Sequence, residues 1–533
     1  MISRKASRRF PRNAKRFSKA GKIAGMTTGL VASGGNSCPL SELRETAERA
    51  AHGMMMRSRS GERVALLLRN GVEFVAAAEA TRMAGRVPVP INWHFTATEV
   101  AYVLEDCGAD IILAHADILH ALGDDFLAGL GPGKTLVWVP TPDDMQSAFG
   151  IPPDRATPPE GVTTWDDLCG DGTAVPPVQT GAAYPVIYTS GTTGHPKGVL
   201  RLGPSSGPSP YGTDSFFKPR VRTLLSAPLY HAAPNRFAQM TLRADGVLVL
   251  ASRFDAERTL ALIDEWRIDT TFLVPTMMRR ILQLPQEVRD RYDTSSLRHV
   301  VTAGAPCPPE VKRQLIHLWG PVVYEFYGST ETGAITHCTS EDALRRPGTV
   351  GRALPNARLA ILDEAGQACP PGTTGEIFGV RLDYPEFTYL NRPGARDEVM
   401  QDGMITAGDI GYIDEDGYVF INDRKRDMII SGGVNIYPAQ VESALLQHDK
   451  VVDCAVFGIP DPDLGEKVAV IYETTAENPA SEADLDAHLS QLVAKYMLPK
   501  LYVRTGTLPR DPSGKLQKRR LRAPYWEGVD RSI

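Results

Sequence analysis

The segment YTSGTTGHPKGV, residues 188–199, combines hydroxyl side chains, glycines and one lysine in a turn-prone stretch after an apolar run. Glycines let a backbone approach a ligand closely, and hydroxyl groups and a lysine can bind phosphate oxygens. The segment is not a P-loop of the form G-x-x-x-x-G-K-[ST], because Pro196 precedes Lys197 and Gly198 follows it. It predicts a phosphate-binding loop of another kind, and a flexible surface turn is the alternative.

Four further segments combine small residues with groups that could act on a nucleotide. They are TAGAP at 302–306, YEFYGSTETG at 324–333, GMITAGDIGY at 403–412 and LPRDPSGKLQKRRLR at 508–522. The second segment contains aromatic rings, Ser and Thr hydroxyls and the carboxylate of Glu331. The third places Asp409 between glycines, and the fourth places Lys515 in a Pro/Gly/Ser loop. Each segment taken alone is more typical of a turn than of a site.

Regular elements must position these segments. Between residues 60 and 400, short apolar runs alternate with helical patterns, which indicates an α/β arrangement. VALLL at 64–68 and IILAHA at 111–116 predict strands. Between them, Thr96 and Glu99 form a capping-box pattern ahead of apolar residues at helical spacing.

From about residue 411 the pattern changes to that of a second kind of unit. GYIDEDGYVFI predicts a hairpin, and a helix beginning at Pro438 follows it. Strands are predicted around 451–458 and 467–472. A helix from Ser481 is predicted to place four apolar residues on one face, namely Leu485, Leu489, Leu492 and Val493.

Length and composition predict a soluble protein of two or more domains. With 533 residues, the chain exceeds the size at which a single hydrophobic core stops growing. It has no run of 18 apolar residues, so no transmembrane helix is predicted. Its seven cysteines form no C-x-x-C pair, which favours a reduced, cytoplasmic setting without structural zinc.

The first 25 residues differ in composition from the rest. They contain nine Lys or Arg and no acid, whereas the remainder has a net charge of −14. We predict a disordered or non-native arm. The alternatives are a basic tail for anionic lipid or nucleic acid, a targeting segment, and an upstream extension of a chain that begins at Met26.

Taken together and in this order, the segments resemble the motifs of the AMP-forming adenylate superfamily of acyl-CoA synthetases, luciferases and peptide-synthetase adenylation domains. The resemblance also includes DRKRDMIISGGVNIYP at 423–438 and extends from about residue 40 to the end. It implies an α/β fold with an α+β C-terminal part. The implied organisation is an arm at 1–25, a large N-terminal AMP-binding domain at 26–422, a hinge at 423–427 and a small mobile C-terminal domain at 428–533.

The resemblance also implies the residues that bind nucleotide. In it, the 189–197 loop holds the β- and γ-phosphates of ATP, Gly304 and Ala305 line the adenine pocket, Tyr327 stacks there, and Asp409 and Arg424 bind the ribose. The complete set of implied ATP- and AMP-binding residues is Thr189, Ser190, Gly191, Thr192, Thr193, Gly194, Lys197, Gly304, Ala305, Tyr327, Gly328, Asp409 and Arg424.

The same resemblance implies the remaining functional groups. The catalytic residues would be Lys515, Thr330, which touches the α-phosphate, and Glu331, which holds Mg²⁺. Arg426 would lie at the hinge, His231 at the acyl pocket, and Ser431, Gly432 and Gly433 beside the CoA thiol arm. For His231 the alternative is a packed aromatic, and for Arg424 and Lys515 it is an exposed charged side chain.

The chemistry requires such groups. A carboxylate that attacks the α-phosphate brings two anions together, so positive charge and alignment must be supplied. Lys515 fits that role in adenylate formation. Glycines at 432 and 433 leave room for a narrow thiol arm in the second step. The expected cofactors and cosubstrates are ATP, Mg²⁺ and coenzyme A.

The substrate is predicted from what one segment lacks. PLYHAAPNRF at 228–237 has no Asp, which peptide-synthetase domains for amino acids usually carry there, so an amino-acid substrate is not expected. Only 18 residues follow Lys515, so no carrier domain is expected after it. The prediction is a free-standing acyl-CoA ligase for a medium- or long-chain fatty acid or a steroid side-chain acid. An aryl-acid CoA ligase, a luciferase-type enzyme and a non-catalytic relative are the alternatives.

The expected partners are small molecules: a carboxylic acid, ATP and CoA, with no nucleic acid. Weak contact with a membrane surface and a homodimer stay open at this stage.

Overall fold

The structure is a computed structural model that describes residues 29–34, 36–57, 62–131, 133–170, 184–189, 196–203, 212–474, 479–510 and 516–527. The chain divides into two compact units. The first comprises Met1–Leu273, Leu284–Val300 and Asp383–Glu398, and the second comprises Val274–Gln283, Val301–Leu382 and Val399–Ile533. The predicted arm at 1–25 lies outside the described residues, and the predicted hinge at 423–427 stays a prediction.

The first unit alternates strands with helices, as the sequence predicts. Its described strands are Leu30–Ser33, Asn36–Pro39, Arg63–Leu67, Val87–Pro90, Ile111–His115, Thr135–Val139, Ile187–Thr189, Lys197–Arg201, Arg222–Leu225, Val247–Leu250, Thr270–Phe272 and Phe387–Tyr389. Its described α-helices are Leu40–Arg57, Val72–Met83, Ala97–Cys107, Ala116–Leu122, Asp124–Gly129, Asp143–Phe149, Pro153–Ala156, Trp165–Cys169, Ala232–Arg243, Ala256–Trp266 and Gln286–Arg289.

Two sheets of this unit are largely parallel. One has the strand order Val87–Pro90, Arg63–Leu67, Ile111–His115, Thr135–Val139, and all three pairings are parallel. In the other, strands beginning at Thr270, Arg222, Val247 and Leu30 pair in parallel, and Asn36–Pro39 adds an antiparallel edge. Parallel neighbours need crossover connections, which the intervening helices provide. Both strands predicted from VALLL and IILAHA are confirmed.

The helix Ala97–Cys107 begins where its capping box predicts. The Thr96 side chain accepts from the backbone N–H of Glu99, and the Glu99 carboxylate accepts from the N–H of Thr96. The apolar residues at helical spacing are buried, namely Val100, Val103, Leu104 and Cys107. A cap of this kind typically contributes about 1 kcal/mol, and packing of the apolar face contributes the remainder.

The second unit consists mainly of antiparallel strands. The strand His299–Thr302 begins in the first unit, and its last two residues belong to the second. The other described strands of the second unit are Val323–Glu325, Gly328–Ser329, Gly333–Ala334, Thr336–His337, Thr349–Ala353, Ala357–Leu362, Gly375–Arg381, Met400–Gln401, Met404–Ile413, Tyr418–Arg424, Ile429–Ser431, Val434–Ile436, Val451–Asp461, Gly465–Thr474 and Leu501–Thr505. Its described α-helices are Pro275–Leu282, Pro309–Trp319, Ser340–Arg345, Pro438–Leu445, Glu482–Leu489 and Lys518–Arg522.

The predicted hairpin after residue 411 is confirmed. Strands Met404–Ile413 and Tyr418–Arg424 pair in antiparallel register. The Asp414 carboxylate accepts from the backbone N–H groups of Asp416 and Tyr418 and so closes the turn. Gly417 has φ +81°, which a glycine adopts without strain.

The C-terminal elements follow the prediction with one correction. The helix Pro438–Leu445 and the long strands beginning at Val451 and Gly465 are present. The helix capped by Ser481 ends at Leu489, so the predicted apolar face is shorter than expected. Leu492 follows the helix end and is exposed, because the chain turns away before that residue can face the core.

No helix in the described part of the chain is both long and apolar enough to cross a membrane.

A buried ion pair fastens the helix Pro309–Trp319 to its neighbouring strands. The Lys312 ammonium donates to Glu325 Oε2 at 2.6 Å and to the Thr349 carbonyl oxygen at 2.8 Å. Both charged side chains are almost fully buried, 3% and 4% exposed. A buried charge without its partner is strongly unfavourable, so each of these two groups depends on the other.

We therefore expect Lys312→Met to lower the free energy of unfolding by about 3–5 kcal/mol, because it leaves the Glu325 carboxylate buried without its cation. The double variant Lys312→Met/Glu325→Gln should recover a large part of that loss. Urea denaturation of the three proteins measures the difference. Equal stability of the single and double variants would contradict this account.

Candidate active site

Asp409 and Arg424 face each other across the hairpin in the second unit. They are register partners, and Arg424 Nε lies 3.4 Å from Asp409 Oδ1. The Tyr327 hydroxyl donates to Asp409 Oδ2 at 2.9 Å. A carboxylate offers about four lone-pair sites, so this buried carboxylate can accept from ligand hydroxyl groups as well. The arrangement fits the two hydroxyls of a ribose.

Tyr327 contributes a ring and a hydroxyl at the same place. Its ring packs against the apolar side chains of Val350, Ile361, Ile377 and Val419. Burial, together with the neighbouring Asp409 carboxylate, raises the pKa of the Tyr327 hydroxyl well above its ordinary value. The hydroxyl therefore keeps its proton at neutral pH and acts as a donor.

A short hairpin follows Tyr327 and requires glycine at its base. Gly328 pairs with Ala334 and Ser329 pairs with Gly333. A Cβ atom added at Gly328 would lie 1.9 Å from the carbonyl oxygen of Gly333. Gly328 is therefore explained by close backbone contact, independently of any ligand.

Two hydroxyl side chains hold the tip of this hairpin. The Ser329 N–H donates to Thr332 Oγ1 at 2.9 Å, and the N–H groups of Glu331 and Thr332 donate to Ser329 Oγ. The turn places Thr330 and Glu331 at the tip, both half-buried. The holding role of Ser329 and Thr332 was not predicted, although their three-residue spacing is typical of a hydroxyl-closed turn. Carboxylate oxygens suit Mg²⁺, so Glu331 fits the predicted metal contact.

The TAGAP segment lies beside Tyr327. Its first residue ends the strand His299–Thr302, and the Phe326 N–H donates to the Thr302 carbonyl oxygen at 3.0 Å. Gly304 has φ +83°, which allows the chain to turn immediately after the strand. Gly304 and Ala305 thus follow directly from the strand that pairs with the Tyr327 segment.

The predicted hinge and CoA residues lie in two successive turns further along the same unit. Arg426 is exposed in the 3-10 turn Lys425–Asp427. Ser431 ends a strand, and the next two residues, Gly432 and Gly433, have φ +56° and +78°. The turn therefore presents backbone without side chains at its tip.

In the first unit, the base of the predicted phosphate loop is a strand pair. Thr189 and Lys197 are antiparallel register partners. The Lys197 side chain is buried, and its Nζ lies 5.1 Å from the centroid of the Tyr389 ring.

The helix Ala97–Cys107 holds both ends of that loop. The Tyr188 hydroxyl donates to Asp106 Oδ2 at 2.6 Å. The Tyr102 hydroxyl donates to the Pro196 carbonyl oxygen at 3.3 Å and accepts from Arg392 Nη2 at 2.9 Å. Tyr102, Asp106 and Arg392 were not predicted, because they belong to no motif and come from distant parts of the chain.

His231 precedes the helix Ala232–Arg243, also in the first unit. Two amides hold this segment: Asn70 Oδ1 accepts from the Leu229 N–H, and Asn235 Nδ2 donates to the Leu229 carbonyl oxygen, both at 2.8 Å. The His231 side chain is half-buried. The backbone two residues before the histidine is therefore held by two side-chain amides.

The predicted site residues thus fall into three groups. Described in the second unit are Gly304, Ala305, Tyr327, Gly328, Thr330, Glu331, Asp409, Arg424, Arg426, Ser431, Gly432 and Gly433. Described in the first unit are Thr189, Lys197 and His231. Outside the described residues lie Ser190, Gly191, Thr192, Thr193, Gly194 and Lys515.

Comparison with known proteins identifies the class of protein. The sequence matches the family described as AMP-binding enzyme over residues 15–381 and the AMP-binding enzyme C-terminal domain over residues 440–515. The chain belongs to the AMP-binding enzyme family.

Individual relatives span most of the chain. The chain is similar to the long-chain-fatty-acid–CoA ligase FadD13 of Mycobacterium tuberculosis, with 33% identity over 477 residues, 87% of this chain and 88% of that protein. It is 34% identical to the indoleacetate–CoA ligase of Aromatoleum aromaticum over 468 residues, 85% of this chain and 86% of that protein. ATP-bound MatB from Rhodopseudomonas palustris has a similar fold, with TM-score 0.76, 29% identity and coverage of 93% and 96%.

These findings confirm the predicted fold class and enzyme class. The protein is an AMP-forming acid–thiol ligase with a large adenylate-forming domain and a C-terminal domain. Ligases of this class use ATP, Mg²⁺ and coenzyme A, the cofactors predicted from the motifs.

We expect Asp409→Asn to lower kcat/KM for ATP by about 10- to 100-fold, because hydrogen bonds to a charged group contribute about 1.5–3 kcal/mol. AMP formation at varied ATP concentration measures this effect. Glu415→Gln provides a control, since Glu415 is an exposed acid in the turn of the same hairpin. An unchanged ATP dependence in Asp409→Asn would contradict a role for this carboxylate in nucleotide binding.

Proposed function

We propose that this enzyme is a free-standing acyl-CoA ligase whose acid is a medium- or long-chain fatty acid or a steroid side-chain acid. In the first step the carboxylate attacks the α-phosphorus of ATP, which forms the acyl-adenylate and releases pyrophosphate. In the second step the CoA thiol attacks the acyl carbon, which forms the thioester and releases AMP. The observation that carries the nucleotide part is the contact of Tyr327 and Arg424 with the buried Asp409 carboxylate.

In this proposal the second unit binds the nucleoside. Asp409 and Arg424 bind the ribose hydroxyls, and the Tyr327 ring stacks on the adenine beside Gly304 and Ala305. The support is geometric: the Tyr327–Asp409 hydrogen bond fixes the ring and the carboxylate relative to each other before a ligand arrives. Such preorganisation lowers the entropic cost of binding.

The charged groups act on the phosphates. Thr330 contacts the α-phosphate, and Glu331 holds Mg²⁺, which when bound neutralises charge on the phosphate oxygens. Lys197 and the hydroxyls of the 189–197 loop bind the β- and γ-phosphates. Lys515 contacts the acid carboxylate and the α-phosphate, so it reduces the repulsion between the two anions.

The second step uses a different surface of the C-terminal part. The turn Ser431, Gly432 and Gly433 faces the thiol arm of CoA after a movement about Arg426 at the hinge. The support for this role is that two adjacent residues with positive φ expose bare backbone. A narrow thiol arm can pass such a turn where a side chain would obstruct it.

The acid is proposed from the segment before the helix Ala232–Arg243. Residues 228–237 contain no acid that could pair with a substrate amine. The buried face of that helix includes Phe237 and Met240, so the segment lies against an apolar core. The 33% identity to a long-chain-fatty-acid–CoA ligase supports a fatty acid.

An aryl acid is the second candidate. It is favoured by the 34% identity to an indoleacetate–CoA ligase and by the aromatic pair formed by Tyr230 and His231, whose ring centroids lie 4.4 Å apart. A cytoplasmic location and a homodimer stay predictions.

Product analysis tests the proposal. The purified protein is incubated with ATP, Mg²⁺, CoA and one acid at a time. The acids are octanoate, dodecanoate, hexadecanoate, cholate, benzoate and indole-3-acetate. We expect AMP to form only when both an acid and CoA are present. The highest kcat/KM is expected for a fatty acid or the steroid acid. A preference for benzoate or indole-3-acetate would favour the aryl candidate. Formation of ADP, or of no AMP with any acid, would overturn the proposal.

We expect Gly433→Leu to slow thioester formation about tenfold or more while adenylate formation stays near the wild-type rate, because the side chain would obstruct the thiol arm. The two steps are measured separately, as pyrophosphate release without CoA and as acyl-CoA formation from preformed acyl-adenylate. Gly417→Leu is a matched control: Gly417 has φ +81° against +78° at Gly433, and neither has an atom within 4 Å of an added Cβ. Equal loss of both steps in Gly433→Leu would contradict the assignment.

A further inference from the structure

We infer that two ion pairs, Arg510–Asp453 and Lys518–Glu442, position the loop that carries Lys515 for adenylate formation. Arg510 and Lys518 are positioning residues in this inference, since each acts through Lys515 and neither needs to contact the substrate. The inference rests on the proposed function of Lys515 and adds the groups on which that function depends. All four charged residues belong to the second unit.

The described residues before and after Lys515 are held together by backbone contacts. Arg510 and Leu516 form an antiparallel bridge. The Gln517 N–H donates to the Pro509 carbonyl oxygen at 2.9 Å. Residues 510 and 516, the nearest described residues on either side of Lys515, are therefore held next to each other. In this inference, a displacement of those two residues also displaces Lys515.

The first ion pair holds the start of the loop. Arg510 Nε donates to Asp453 Oδ2 at 2.6 Å, and Arg510 Nη2 donates to Asp453 Oδ1 at 2.8 Å. Asp453 belongs to the long strand Val451–Asp461 of the C-terminal sheet. A bidentate pair of this kind fixes the plane of the guanidinium as well as its position.

The second ion pair holds the end of the loop. Lys518 Nζ lies 2.8 Å from Glu442 Oε1, and the two side chains are 16% and 18% exposed. The same Glu442 oxygen accepts from the Val456 N–H at 2.8 Å, which fixes the carboxylate on the sheet. Burial disfavours the ammonium form, but the carboxylates of Glu442 and Asp423 nevertheless hold the pKa of Lys518 above its ordinary value. Lys518 therefore stays charged at neutral pH.

The helix that carries Glu442 is also tied to the nucleotide residues. Asp423 Oδ2 accepts from the Ala439 N–H at 2.7 Å, in the first turn of the helix Pro438–Leu445. Asp423 Oδ1 accepts from the N–H of Arg424 at 2.7 Å. One helix thus connects the end of the Lys515 loop to the residue that faces Asp409 across the hairpin. In the proposed reaction, those are the two places whose separation must match the adenylate.

The Lys518–Glu442 pair gives the cleaner test. Arg279 Nη1 lies 3.9 Å from Asp453 Oδ1, so neutralising Asp453 would leave two arginines facing each other and would disturb more than the loop. Removal of the Lys518 ammonium alone would leave the Glu442 carboxylate without its cation. The double variant Lys518→Met/Glu442→Gln avoids this, because the amide oxygen that it introduces can still accept from the Val456 N–H.

The two half-reactions are measured with dodecanoate, or with the acid of highest AMP yield in the panel above, and with its preformed adenylate. We expect the double variant to form adenylate about 10- to 100-fold more slowly, because a displacement of about 1 Å at a reacting group can cost a factor of about 100. Acyl-CoA formation from the preformed adenylate should stay within about twofold of wild type, since Lys515 is not needed there. Lys515→Ala should show the same split, and Lys518→Arg, which keeps the charge, should restore most of the adenylation rate.

A matched control separates positioning from general stability. Arg86 and Asp110 form a largely buried ion pair in the first unit: Arg86 Nη1 donates to both Asp110 carboxylate oxygens, at 2.9 and 3.0 Å, and the side chains are 6% and 17% exposed. The variant Arg86→Met/Asp110→Asn removes a comparable pair far along the chain from Lys515. We expect its ratio of adenylation to thioester rates to equal that of wild type, whatever its melting temperature.

Three results would overturn the inference: a double variant that forms adenylate at the wild-type rate, a double variant that loses both half-reactions equally, or the same selective loss in the Arg86→Met/Asp110→Asn control. The proposed function fails separately, if the wild-type enzyme forms no AMP with any acid. If the wild-type enzyme is active and the double variant is unaffected, only the positioning role is contradicted.

Discussion

Carboxylates that leave water must be compensated by cations or hydrogen-bond donors, and the chemically important part of the second unit is organised by this constraint. Asp409 is compensated by Tyr327 and Arg424. Asp423 is compensated by two backbone N–H groups at the start of a helix and beside the hairpin strand. Pairing the Asp409 charge fixes Tyr327 and Arg424, and the hydrogen bond to Asp423 fixes the backbone of Arg424. The proposed reaction needs both of these side chains.

In the first unit, a neutral and a charged side chain on one helix hold the two ends of the predicted phosphate loop. The helix Ala97–Cys107 packs its apolar face into the parallel-sheet core and uses its polar face to hold the ends of the phosphate loop. Tyr102 and Asp106, one turn apart on that helix, each hold one end. Helix packing and loop positioning are thus consequences of the same amphipathic segment.

Much of this architecture could be predicted from local patterns. The Thr96 capping box, the hairpin around Gly417 and the start of the helix at Pro438 are all specified within a few residues, because caps and turns depend on short-range hydrogen bonds and on backbone preferences. The predicted end of the helix after Ser481 was wrong. Leu492 has the spacing for the apolar face, but it lies beyond the last turn. Periodicity does not specify where tertiary packing stops a helix.

The sequence alone determined the family, the reaction class and the candidate ligands of the nucleotide, because glycines, hydroxyls and charges in ordered motifs reflect chemistry that has few other solutions. Only the tertiary structure showed what holds those groups. The partners of Lys518 and Tyr188 are Glu442 and Asp106, separated from them by 76 and 82 residues. Such pairs leave no local pattern, because the distance between their side chains is set by how helices and sheets pack and by the cost of burying an unpaired charge.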